Sequence, residues 1–216
     1  MILPDRTSWS PFFNPDPPSG LGVIIHATRS GIPGNPTEME ATLSWFQNPA
    51  AQVSAHWVIG RDGEKVRVID DDMQAWHAGM HNATHWGIEL CQGVDSDGFT
   101  QVQLDALEQV CRGYQQDFGV RAAHAFEGFI GHQETPQGQE WGKTDPGTYF
   151  PWGSFSEQAA FSYFLLGDQY AGIEKRGKQL FFWNEYVETD AIGDYEGQFV
   201  GSHWHNQGGT WVKVLP

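Results

Sequence analysis

Between Gly131 and Gly147 the chain reads GHQETPQGQEWGKTDPG, with glycine or proline at 131, 136, 138, 142, 146 and 147. So many backbone breakers exclude a regular helix or a central strand over the whole stretch. Yet it carries an imidazole (His132), an ammonium (Lys143) and a carboxylate (Asp145). Such a loop is worth its entropy only if a rigid scaffold holds it and its side chains do chemistry, because core positions do not select this mixture. Histidine nitrogen and carboxylate oxygen both suit zinc, and Lys143, two residues before Asp145, is placed to face the same cavity. A second imidazole is needed from elsewhere. The best candidate is His26, which ends the apolar run Gly22-Val23-Ile24-Ile25 ahead of the turn residues Ser30, Gly31 and Pro33. That run reads as a buried strand, and a histidine at its end sits at the rim of a sheet.

The remaining pattern alternates strands and helices. Residues 1–20 contain five prolines and read as an irregular arm. Thr37 and Glu40 have the spacing of a capping box opening a helix that Asn48-Pro49 stops near Gln47. Val53–Ile59 reads as a strand carrying His56, turned by Arg61-Asp62-Gly63 into a hairpin partner at Lys65–Ile69. Trp86–Cys91 reads as a strand with Glu89 among apolar neighbours. Leu104, Leu107, Val110, Cys111, Tyr114 and Phe118 recur at helical spacing before Gly119, so residues 101–118 read as a core helix without chemistry. A short strand near Phe129 delivers His132, and residues 156–166 read as a last helix. This predicts an α/β fold with a central mixed sheet flanked by helices over residues 1–166. Residues 167–216, with short alternating runs from 173 onward punctuated by glycine, read as a small β-rich module that at this size is expected to pack on the main domain.

Composition narrows the partners. A formal charge of -15 with only twelve Lys and Arg argues against nucleic acid, which is bound through cationic side chains. No apolar run approaches the length that spans a bilayer, and the first residues lack the charged and apolar regions of a signal peptide. The expectation is a monomer made in the cytoplasm. Cys91 and Cys111 are expected to be buried thiols.

Six motifs in order, Val23–Thr28, Val53–Ile59, Arg61–Gly63, Trp76–Gly79 with Asn82, Gly87–Leu90 and His132–Pro146, resemble the zinc-dependent N-acetylmuramoyl-L-alanine amidases of the type-2 amidase superfamily, which includes AmpD-type enzymes, phage endolysins and peptidoglycan recognition proteins. The resemblance spans residues 20–155. It implies one catalytic Zn2+ held by His26, His132 and Asp145, Glu89 as acid/base, Lys143 stabilising the transition state, and a substrate groove lined by His56, Trp76, His77 and Asn82. By itself Glu89 reads equally well as a buried carboxylate paired with an arginine. A tyrosine that shares in catalysis in one branch of the family is replaced by Ala55, and Glu89 aligns the chain with the AmpD-type branch. The implied reaction is hydrolysis of the amide between the muramic acid lactyl group and L-alanine by a zinc-activated water. Within that reading the chain is a phage or prophage endolysin acting on the peptidoglycan of the cell wall, with residues 167–216 a candidate for cell-wall binding, and the alternative is a recycling enzyme that cuts soluble muropeptides in the cytoplasm. A binder without catalysis is the reading from another class. His81 and His85 are expected at the surface, and His203 with His205 would share one face of a strand.

Overall fold

The computed structural model describes residues 3–152 with their side chains and, beyond them, the backbone of strands between 163 and 214. The chain divides into two compact units, Met1–Ala159 and Ala160–Pro216.

The first unit is built on a six-stranded sheet. Its strands are β1 (Arg6–Thr7), β3 (Gly22–Ala27), β4 (Trp57–Ile59), β5 (Lys65–Arg67), β7 (His85–Leu90) and β8 (Phe129–Gly131), in the order β1-β5-β4-β7-β3-β8. β4, β7, β3 and β8 run parallel, and β5 turns back antiparallel to β4. β3 lies between β7 and β8 and is buried at every residue, as its unbroken apolar run predicts for a strand covered on both faces. The proline-rich arm is more ordered than its sequence suggests. Arg6–Thr7 joins the sheet edge, and β2 (Phe13–Asn14) pairs with β6 (Gln74–Ala75).

Alternation along the strands assigns the two faces. Val23, Ile25, Trp57, Ile59, Ile88 and Leu90 pack with Leu107, Val110, Cys111 and Tyr114 of α2 (Gln101–Phe118). Val58, Val66 and Val68 pack instead with Leu43 and Phe46 of α1 (Glu38–Gln47). α2 begins where Thr100 accepts a bond from the Gln103 N–H, and ends at Gly119 with φ 73°. Buried Gln103 donates to Ile59 O and Cys91 O, tying the helix to two strand ends. The expected capping box of α1 does not form. The Thr37 hydroxyl bonds Asn35 Oδ1, and Glu40 reaches Arg6. Both cysteines are free and buried.

The loop after β8 is broken as its glycines and prolines require, apart from the short helix α3 (Pro136–Glu140). Thr135 caps it by accepting from the Gly138 N–H.

In the second unit β9 (Tyr163–Leu166), β10 (Gln169–Arg176), β11 (Gln179–Asn184) and β12 (Glu188–Asp194) form an antiparallel sheet in the order β12-β11-β10-β9, and β13 (His203–Gln207) pairs with β14 (Thr210–Val214). The end of the helix expected over 156–166 is therefore strand, because Tyr163–Leu166 pairs with β10; residues 156–162 lie outside those described, as do the side chains of His203 and His205. Residues 160–166 belong to this unit, not to the first.

Candidate metal centre and its cavity

The register of three parallel strands assembles the site. His26 is the neighbour of Glu89 across β3 and β7, and Ile25 is the neighbour of Gly131 across β3 and β8, which brings His132 beside His26 one residue further on. All three side chains thus reach the carboxyl ends of neighbouring strands, the edge where open α/β sheets bind ligands. Glu134 accepts from the Gly131 N–H and faces His124 Nε2 at 2.9 Å. His124 stacks on Trp152 at 3.9 Å, and this clip fastens the turn that carries His132.

Asp145 completes the group. Its Oδ2 lies 3.1 Å from His26 Nδ1 and 3.2 Å from His132 Nδ1, and ligand atoms of the three residues lie within 4.8 Å of one another. Donor atoms around a tetrahedral zinc at 2.0–2.1 Å stand about 3.3 Å apart. The spacing and the mixture of two imidazoles with one carboxylate therefore fit such an ion, and the buried His132 Nε2 has no hydrogen-bond partner. Burial lowers His26 to about 4 against the pull of Asp145, so the ring is neutral, as a ligand must be.

These residues line one side of a cavity of about 480 Å³ that also includes Thr28, Arg29, Glu38, Trp45, Trp76, His77, Glu89 and Lys143. Glu89 Oε2 is buried without a partner. Burial first, then the Asp145 charge, raises Glu89 to about 8, while Lys143 pulls it down. No arginine pairs with it among the described residues, so the alternative of a structural ion pair fails. Arg29 holds the Lys143–Asp145 segment, with Nη1 donating to Thr144 Oγ1 at 2.7 Å and Nη2 to Thr144 O at 3.1 Å; Nη2 also reaches Asp95 at 2.8 Å.

The residues expected at this site thus fall into two groups. His26, His132, Asp145, Glu89, Lys143, Trp76 and His77 all line the cavity. His56 and Asn82 do not. His56 is 0% exposed, its Nε2 donating to Met73 O and its Nδ1 accepting from the Gly87 N–H. Asn82 turns its Oδ1 to the His77 and Ala78 N–H groups. Backbone groups thus claim both nitrogens of His56 and the side-chain oxygen of Asn82. His81 and His85, expected at the surface, are buried beside Phe126, with His85 Nε2 donating to Phe126 O at 2.8 Å.

A sequence model of the family described as N-acetylmuramoyl-L-alanine amidase (Amidase_2) matches residues 16–148, the whole span from the arm to the end of the Asp145 loop. This chain belongs to that amidase family. N-acetylmuramoyl-L-alanine amidase A of Achromobacter lyticus is 32% identical over 149 residues, covering 62% of this chain and 79% of that protein. A selenomethionine derivative of AmpD has the same fold at 29% identity, with a TM-score of 0.57 and coverage of 73% of this chain and 95% of that one. LysC, an N-acetylmuramoyl-L-alanine amidase from Clostridium intestinale, shares the fold at 18% identity with a TM-score of 0.53, covering 72% and 97%. The family match stops short of the second unit.

Several cavity residues went unforeseen, Thr28, Arg29, Trp45 and Glu38 among them. Thr28 and Arg29 lie two and three residues past His26, so the strand end could have flagged them, and Trp45, 50% exposed on α1, carried no distinct signal. Glu38 looked like an ordinary first-turn acid of α1. It is 3% exposed and accepts from the Ser30 N–H at 3.2 Å and Asn35 Nδ2 at 2.9 Å, which fixes the cavity rim.

Proposed function

We propose that this family member hydrolyses the amide between the lactyl group of muramic acid and L-alanine, using zinc held by His26, His132 and Asp145. One observation carries the reading: three ligand atoms converge in a cavity open to substrate that Glu89 also lines, one of its carboxylate oxygens buried without a hydrogen-bond partner. The relatives named as N-acetylmuramoyl-L-alanine amidases support the choice of bond.

Zinc, when bound, acidifies a water and polarises the scissile carbonyl. Glu89 takes the proton of the attacking water. As the carbonyl carbon gains oxygen and its bond to nitrogen breaks, the same carboxyl returns a proton to the amine of L-alanine. Burial and Asp145 drive its pKa up to about 8 while Lys143 draws it down, which places it within reach of neutrality, where acid/base exchange is effective. Lys143 presents an ammonium on the same cavity wall, suited to negative charge developing on the carbonyl oxygen. Trp45 and Trp76 supply apolar wall against which a sugar or peptide stem can rest.

The test uses zinc-loaded and chelator-stripped protein on purified peptidoglycan and, in parallel, on soluble anhydro-muropeptides. The expected product is new L-alanine amino groups without new reducing ends, lost on stripping and restored by zinc. Release from intact wall identifies a lytic enzyme, and release from soluble muropeptide alone a recycling one. New reducing ends, or activity indifferent to stripping, would sink the proposal.

A further inference from the structure

We propose that His77 is a positioning residue whose Nδ1 accepts the Nε2 proton of His26 and so fixes His26 in the tautomer that turns a bare Nδ1 toward Asp145 and the metal. The inference rests on the metal reading of His26, His132 and Asp145.

The proton order can be followed from an atom that has no choice. The His85 carbonyl only accepts, and it lies 3.1 Å from His77 Nε2, so the His77 proton sits on Nε2. A neutral imidazole protonated there has a lone pair on Nδ1. That Nδ1 lies 3.0 Å from His26 Nε2, which must then be the donor. With its proton on Nε2, neutral His26 presents only a lone pair at Nδ1, 3.1 Å from an Asp145 oxygen that also has only lone pairs. Two acceptors face each other where a cation belongs. The opposite order would set a bare His77 Nε2 against the His85 carbonyl and put a proton on His26 Nδ1, blocking the ligand.

The surroundings are built for this ring. A Cβ at position 87 would lie 2.6 Å from His77 Cγ and Nδ1, so β7 must carry glycine there for the ring to lie against it. Asn82 holds the His77 backbone from the other side, accepting its N–H at 3.0 Å. The His56 ring stands edge to face against His77 at 5.9 Å. His77 was expected to touch substrate, whereas both its nitrogens are committed within the protein.

Hydrogen bonds to the far nitrogen of a ligand histidine typically change metal affinity about 10–100-fold. The measurement is zinc affinity by competition with a chelating dye, on wild type, His77→Phe and His77→Asn. Phenylalanine keeps the ring volume and removes the acceptor; the Asn Oδ1 occupies nearly the place of the His Nδ1. His77→Phe should weaken zinc binding about 10–100-fold, while His77→Asn stays within a few-fold of wild type. Equal affinity for wild type and His77→Phe overturns the proposal. So does an equal loss in both variants, because then the ring and not its acceptor matters. Should the variants fail to fold, imidazole ¹⁵N spectra of zinc-loaded wild type decide, since a His77 proton on Nδ1 contradicts the assignment. Failure of the wild type to bind zinc would count against the metal reading itself.

Discussion

Glu89 is half-buried and His56 fully buried, both ionisable and on or beside the central strands, and their hydrogen bonds separate their roles. Glu89 leaves an oxygen unpartnered at the cavity, whereas His56 has each nitrogen bound to a backbone group. Glu89→Gln keeps the shape and removes the exchangeable proton, so zinc binding should persist while turnover falls on the order of 10²–10⁴-fold; parallel zinc titration and kinetics check this, and an unimpaired rate would remove Glu89 from the chemistry. His56 predicts a pH effect. Burial lowers its pKa from 6.5 to about 4, so below pH 6.5 the unfolded chain takes up a proton that the folded chain refuses. Stability should therefore be unaffected by this group above pH 6.5 and fall progressively toward pH 4, by roughly 3 kcal/mol in full. Protonation would set an N–H against the Gly87 N–H, which is the physical reason. In metal-free protein, His56→Gln should be less stable at pH 7 yet show a shallower loss between pH 6.5 and 4.5 in urea titrations; parallel slopes would contradict the assignment.

At the scale of elements, the sheet delivers His26 and Glu89 on regular strands and His132 on the turn directly after β8, but Asp145 and Lys143 arrive on a loop. Arg29, in the left-handed region at φ 50°, links that loop to the end of β3 through Thr144. Arg29→Leu should lower kcat/KM about 10–100-fold through misplaced groups, with little change in the apo melting temperature, since the arginine lies at the cavity rim and not in the core. An unchanged kcat/KM would show that the loop holds its shape unaided. α2 is the contrasting case. Leu107→Ala should cost about 2–5 kcal/mol in denaturant titration, because Leu107 is 0% exposed against the strands opposite the site, and leave the activity of folded protein intact.

At the scale of the whole molecule, every residue of the candidate site lies within Met1–Ala159. Residues 1–159 expressed alone should therefore cleave soluble muropeptide at a rate within a few-fold of the full chain, and comparing the two on intact wall measures what residues 160–216 add. A truncated protein that folds yet has no activity on soluble substrate would mean that the second unit completes the site. The amino-acid sequence by itself determined the β3, α2 and β8 elements, because unbroken apolar runs, helical spacing and a closing glycine are local signals. It also marked His26, His132 and Asp145 as one candidate metal group, because His, His and Asp at strand ends and on a glycine-rich loop have few other uses, and the structure brings the three together. What it left undecided depends on pairings between distant segments. The first turn of α1 formed no capping box because Arg6 and Asn35 compete for its side chains. His56, His85 and Asn82 are held by backbone groups that neighbouring strands and loops present to them, and His81 is buried against the rings of His85 and Phe126. Which nitrogen of His26 is bare follows from a chain of contacts running from His85 through His77, and only the tertiary structure brings residues 26, 77 and 85 within hydrogen-bonding distance.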